Sequence, residues 1–256
     1  MTDDPLLVAI LVGTVAVAAF INGTIGFGFA LLAVNALAVV LGARDGVVVM
    51  SLLAPFVSGL QLINHRAFAP PWRRLGSLLA GAVVGSVVGT QLLVILPGPL
   101  ISIALGLFTI WFVARSIQGE RPPMGDRTER RLGPLVGFVG GVSNGTLGAS
   151  GPVFGTYLTA IGLRGRDFAY AIALVFFLMS TLRIGLLAAL DVYTPSLVVI
   201  AGVLLVPSLG VQVIGLHFRG RLPAAAIYRG VLVALGVGGA TLIWRGVEGL
   251  SDLLPR

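Results

Sequence analysis

The chain has 256 residues, of which 57% are hydrophobic and only 11% charged, and its mean hydropathy is +1.02. An average soluble domain carries about 25% charged residues, so this balance excludes an ordinary soluble fold and predicts a polytopic membrane protein. The net charge of +7 comes entirely from Arg, since there is no Lys. Those Arg residues cluster in short segments between apolar runs, a pattern of membrane orientation rather than of nucleic-acid binding.

No cysteine is present, which removes disulfides and thiolate metal sites from consideration. The first residues, Met1-Thr2-Asp3-Asp4, lack the positive region of a signal peptide, and the N-terminal stretch is read as part of the mature protein. Apolar runs follow at about residues 5–21, 24–41, 46–64, 75–96, 99–114, 133–143, 147–163, 168–190, 195–216 and 224–244. Runs near twenty residues predict membrane-crossing helices, and the runs beside positions 22 and 144 are shorter. Residues 115–131 form a polar linker with Pro122, Pro123 and five Arg. It divides the chain into a first membrane repeat (1–117), a cytoplasmic linker (118–132) and a second membrane repeat (133–256).

The two halves share one short motif. Asn22-Gly23-Thr24-Ile25-Gly26 recurs as Asn144-Gly145-Thr146-Leu147-Gly148, 122 residues later. The same spacing relates Leu41 to Leu163, Arg44-Asp45 to Arg166-Asp167, Ser58 to Ser180, Leu60 to Leu182 and Ser86 to Ser208. Apolar letters match by chance in such a chain, but polar ones do not, so the spacing predicts internal duplication. Gly tolerates positive φ, and Asn tolerates the left-handed region, so each motif reads as a break between two helical arms. A helix that restarts after a break offers unpaired N–H groups and the positive end of its dipole. Irregular backbone at membrane depth survives only in protein or beside a watery cavity. Two breaks at matching positions of two halves are the sequence sign of a transporter's binding site.

Charge orients the predicted helices. The segments 64–74, 115–131 and 217–221 are positive and belong in the cytoplasm, whereas Pro97-Gly98-Pro99 and the turn at Asp191 belong outside. Only 13 residue steps lead from Arg131 to Asn144, about 20 Å of helix against an apolar thickness of about 30 Å. That arm therefore dips in and returns, and by duplication residues 5–41 do the same from the other face. The predicted fold is an all-α polytopic membrane protein of two inverted repeats, each a broken re-entrant helical hairpin plus three transmembrane helices, with the hairpin tips approaching inside the membrane. That gives six full crossings and both termini outside. A rival count of eight crossings puts Arg164, Arg166, Arg219 and Arg221 outside, which the positive-inside tendency disfavours.

The segments Asn22 to Ala30 and Asn144 to Pro152 each open a half and precede a helix. This duplicated glycine-rich signature resembles that of the TauE/SafE (sulfite exporter) family of membrane permeases. The resemblance covers nearly the whole layout but only about ten positions per copy. It implies an inner-membrane carrier of small sulfur-containing anions such as sulfite or organosulfonates.

The predicted substrate site comprises Asn22, Gly23, Thr24 and Gly26 at the first tip and Asn144, Gly145, Thr146, Gly148 and Ser150 at the second. There the amides of Gly23, Gly26, Gly145 and Gly148 bind an oxyanion. The plainer alternative makes Asn and Thr caps of the second arm. Arg183 is the one Arg well inside a predicted crossing, and Gln61 stands at its repeat position. It either attracts the anion or snorkels toward Asp191. Gln91 and Gln212 are weaker candidates. Arg44-Asp45 and Arg166-Asp167 read as helix-terminus charges, and His65 and His217 as solvated interface residues. Gly81, Gly85 and Gly89, with Gly137 and Gly141, predict close helix packing. Trp72, Trp111 and Trp244 suit the interface belt.

No acid falls deep within a predicted span, which argues against coupling through a carboxylate relay. No metal or other cofactor is called for, and there is no P-loop. The leading function is a secondary transporter that binds a small anion and exposes it alternately to each side of the membrane. A passive anion channel uses the same residues. An intramembrane enzyme needs a nucleophile with a base or metal that the deep segments do not supply.

Overall fold

In the computed structural model, residues 5–26, 28–65, 72–117, 126–221 and 223–251 are described. Among them the chain forms ten helices and no strand: α1 (Pro5–Ile25), α2 (Phe29–Leu41), α3 (Ala43–His65), α4 (Trp72–Ile95), α5 (Gly98–Ile117), α6 (Asp126–Leu147), α7 (Gly151–Ala160), α8 (Gly165–Ala189), α9 (Pro195–His217) and α10 (Ala224–Ser251). The duplication is visible in their boundaries. Ile25 and Leu147 end the first helices, Phe29 and Gly151 begin the second, Ala43 and Gly165 begin the third, and Ile95 and His217 end the fourth, each pair 122 residues apart.

Local signals account for several of these ends. Thr194 caps α9 by accepting a hydrogen bond from the Leu197 N–H at 3.5 Å, with Pro195 in the first turn, where its missing N–H costs nothing. Asp45 and Asp167 lie in the first turns of α3 and α8, where a carboxylate complements the helix dipole. Arg44 and Arg166 share those first turns, so neither ends the preceding helix as the sequence suggested. Gly42 closes α2 at φ 91° and Gly162 follows α7 at φ 87°, a backbone region that favours glycine.

Seven helices, α1, α3, α4, α5, α8, α9 and α10, are long and apolar enough to cross a membrane. This is one more than the six crossings predicted, and the addition is α1. Its apolar window Val8–Ile25 runs unbroken through the motif that was read as an interruption. The matching helix α6 is one residue longer, but its sequence opens with Asp126, Arg127, Glu129, Arg130 and Arg131 and is correspondingly less apolar. α2 and α7, with 13 and 10 residues, reach only about 20 and 15 Å, short of a full crossing.

Contacts divide the chain into two compact units. One takes Met1–Met50, Ile95–Gly119 and Tyr193–Arg256, and the other Ser51–Val94 and Glu120–Val192. In the first, α1 packs along α9, α5 packs along α10, and α2 lies on α10 and α5. In the second, α6 packs on α4, and α7 packs on α6 and α8. Each unit thus joins a broken pair of helices from one half of the sequence to the fourth helix of the other half.

Glycine makes the α4–α6 contact possible. A Cβ on Gly81, Gly85 or Gly89 of α4 would collide with the carbonyls of Pro134, Phe138 or Val142. On α6, a Cβ at Gly137 or Gly141 would collide with the carbonyl of Leu78 or Ala82, and one at Gly145 would lie 2.7 Å from the Ser86 carbonyl oxygen. The two backbones therefore touch along their length, as the small-residue spacing predicted, with Cα–H groups against carbonyls. At the equivalent positions of α1 and α9 the sequence has Val15, Ala19, Gly23, Val203, Pro207 and Val211. Only Gly23 is retained, and there a Cβ would lie 2.5 Å from the Gln212 carbonyl oxygen.

The carbonyls against the α4 glycines cannot rotate away, so Gly85→Leu is expected to destabilise the protein by about 3 kcal/mol or more. Gly185→Ala, where an added Cβ meets nothing within 4 Å, should leave stability unchanged. Melting of the detergent-solubilised variants compares the two.

Candidate functional site

The breaks fall at the last residue of the repeated motif, whose first four residues stay helical. Asn22 through Ile25 form the last turn of α1, and Asn144 through Leu147 the last turn of α6. Gly26, at φ 87°, and Gly148, at φ 69°, then turn the chain into conformations that L side chains rarely adopt. Their N–H groups donate to Asn22 O at 2.7 Å and to Asn144 O at 3.0 Å. The predicted amide cradle is therefore corrected. Gly26 and Gly148 spend their N–H groups on the preceding helix, while Gly23 and Gly145 are helical glycines that admit α9 and α4. Asn and Thr do not cap the second arms either: Gly28 (φ 104°) and Ser150 occupy the N-cap positions, without a side-chain cap hydrogen bond. In the first turn of α7, Pro152 has no N–H and the N–H groups of Val153 and Phe154 donate to Ser150 O at 3.1 and 3.0 Å, which leaves Gly151 as its one N–H outside these bonds.

At the second break the surrounding side chains are polar and sealed. Arg183 of α8 has 0% exposure, and its guanidinium donates to Asn144 O at 2.5 Å. It does not snorkel, although Asp191 lies only eight residues further on. Asn144, 6% exposed, places one amide atom 3.2 Å from Ser150 Oγ, across the break. Its other amide atom, assigned as Oδ1, is buried without a hydrogen-bond partner among the described residues. A hydroxyl both donates and accepts, so exchanging the amide nitrogen and oxygen preserves the Ser150 contact and still leaves one amide atom open. Thr146 donates to Gly89 O at 2.9 Å, tying the end of α6 to α4. The second compact unit thus brings together Asn144, Gly145, Thr146, Gly148, Ser150 and Arg183, and it also contains Gln61, buried on α3.

The first break has another character. Asn22 and Thr24 are buried, and Thr24 turns its hydroxyl back to Ile21 O at 2.9 Å. The pocket beside this break is apolar, with walls that include Ile21, Ile25, Leu31, Phe112 and Val231 and with Gly28 at its edge. Half-buried Arg219 donates through Nε to Thr24 O at 3.4 Å.

One contact recurs at every arm. Arg219 reaches the last turn of α1, and Arg183 that of α6. Arg245 of α10 donates to Val39 O in the last turn of α2, and Arg164 donates to Thr159 O, 3.2 Å away, at the end of α7. Sequence reasoning missed all four of these contacts, because the partners lie far apart along the chain or because the Arg sits at a helix boundary.

It also missed Asn35, whose Nδ2 donates to Leu31 O at 2.7 Å and to Thr109 Oγ1 at 3.0 Å, fastening α2 to α5. An Asn inside a run of Leu, Ala and Val was the available signal. His65, read as a solvated interface residue, is buried, whereas His217 is exposed. Gln212 is buried against α1, while Gln91 is exposed.

Thr146→Val keeps the shape of the side chain and leaves the Gly89 carbonyl without its donor, so a loss of about 1–2 kcal/mol is expected. Thr241→Val, at an exposed hydroxyl bonded within its own helix, should change melting little.

A protein-family model described as Sulfite exporter TauE/SafE matches residues 10–242, a stretch that includes both breaks and all four capping arginines except Arg245. No curated protein matches the chain. No solved structure matches it either. With the family model covering most of the chain and seven helices long and apolar enough to span a bilayer, the protein is a multi-pass membrane protein that belongs to the TauE/SafE sulfite exporter family.

Proposed function

We propose that the protein is a secondary permease for a small sulfur-containing oxyanion, working by alternating access across the cytoplasmic membrane of its cell. The observation that carries this reading is Arg183: a guanidinium with 0% exposure, inside a membrane helix, bonded to the backbone at a helix break. A cation at depth is costly and points to function. Here it stands with Ser150, Asn144 and the Gly151 N–H at the start of α7, each of which can donate to an oxyanion.

The two halves, 1–117 and 133–256, are proposed to run in opposite directions through the membrane, with the linker 118–132 in the cytoplasm and both termini outside, an arrangement that takes α1 with α2, and α6 with α7, as pairs that return to the face they enter and counts six crossings in α3, α4, α5, α8, α9 and α10. Duplicated helix boundaries and the distribution of Arg support this. The substrate partner is the anion, and the working environment is the bilayer.

Reconstituted protein should take up sulfite with saturation and should show counterflow; conductance without saturation would assign a channel instead. Arg183→Gln is expected to lower sulfite uptake by about 10- to 100-fold, the worth of a charge-assisted hydrogen bond, and Arg183→Lys to restore part of it. Because the natural chain has no cysteine, single cysteines at Asp3 and Gly125 can be labelled cleanly. They should react from opposite faces of the membrane, and labelling from one face would overturn the inverted arrangement.

A further inference from the structure

We infer that the anion is seated at the second break alone and that the first break takes no part in holding it. This rests on the permease reading and divides the duplicated motif into a binding copy and a dry copy.

The division follows from a position-by-position comparison at the 122-residue spacing. Where the second break has Ser150 at the helix N-cap, the first has Gly28, which has no side chain to offer. Where α8 carries Arg183, α3 carries the neutral Gln61. Ser208 satisfies its hydroxyl on Leu204 O, but its counterpart Ser86, fully buried on α4 beside α6, has no hydrogen-bond partner among the described residues. One amide atom of Asn144 is likewise open, on a side chain that its other amide atom turns toward the N-terminus of α7. Buried polar atoms left open are costly and mark a place where a polar guest belongs.

The first break differs in its lining. The second arm there starts beside a pocket walled by Ile21, Ile25, Leu31, Phe112 and Val231. Tyr228 is the one side chain of that lining with a polar atom, so an anion stripped of water and placed there would lose hydration against a mostly apolar wall. Its local guanidinium, Arg219, is half-exposed and lies beyond the end of α9 rather than within a helix. The ligand chemistry that fits the second break is an anion with at least two acceptor oxygens, because a guanidinium, the Ser150 hydroxyl, the Asn144 amide and the Gly151 N–H are gathered there. A sulfite or sulfonate head group satisfies this, and a spherical halide does not.

The test measures sodium sulfite binding to the purified full-length protein by titration calorimetry, with each variant first checked for an unchanged elution profile and melting curve. Ser150→Gly installs the residue of the first break, and Gly is tolerated at an N-cap. Its sulfite Kd should rise by about tenfold or more through loss of a charge-assisted hydrogen bond. Ser150→Ala gives the same readout if Ser150→Gly does not purify. Arg219→Gln should keep its Kd within about threefold of the natural protein, as for a charge that is partly exposed. Equal weakening by Arg219→Gln and the Ser150 variants, or no weakening by the Ser150 variants, overturns the single-break assignment while leaving the permease reading in place. If the natural protein binds neither sulfite nor methanesulfonate, the permease reading itself falls, and this inference with it.

Discussion

A helix that stops among apolar neighbours leaves its last carbonyls with no water to satisfy them, and the architecture of this protein depends on how that problem is met. All four arms of the two broken helix pairs end on a guanidinium: Arg219 at α1, Arg245 at α2, Arg183 at α6 and Arg164 at α7. A cation at a helix C-terminus also complements the dipole. The exclusive use of Arg in place of Lys fits this task, since a guanidinium stays charged and has donors to spare after one carbonyl is served. Three of these arginines are exposed or half-exposed, so their stems carry the charge toward the surface. Arg183, by contrast, is fully buried.

The second constraint is the contact of bare backbones between α4 and α6. Six glycines bring the two helices together so closely that Thr146 can reach the Gly89 carbonyl, which fixes where α6 ends and therefore where the second break opens. The corresponding contact of α1 with α9 keeps one of those six glycines, Gly23, and adds Gly215 on its own account. Four pairs of helix ends keep the 122-residue spacing, while the packing and the polarity of the two copies differ. A shared motif is thus no evidence of a shared role: Asn22 and Asn144 sit at the same point of their helices, but only Asn144 faces a polar N-cap.

This divergence also bears on what the family membership means for this chain. Each compact unit takes its broken helices from one half and a supporting helix from the other. The family supplies the class, transport of small anions; the buried polar set of the second unit gives that class a physical basis in named atoms.

Much of this was legible in the sequence. Composition alone determines a helical membrane protein, and runs of about twenty apolar residues locate the long helices to within a few positions, because the bilayer sets their length. The spacing of 122 and the small-residue stripes on α4 and α6 are likewise sequence facts, since each reports a period that the backbone imposes. Arg183 stood out as an ion in an apolar run. What tertiary structure alone decided is where each break falls and what each polar group meets. Asn-Gly-Thr resembles a turn, but in α1 and α6 it stays helical because a neighbouring helix needs Gly23 and Gly145 flat against its backbone. Whether Arg183 snorkels or stays, and whether an N-cap opens onto Asn144 or onto Ile25, depends on contacts between residues distant in the chain, which no local pattern encodes.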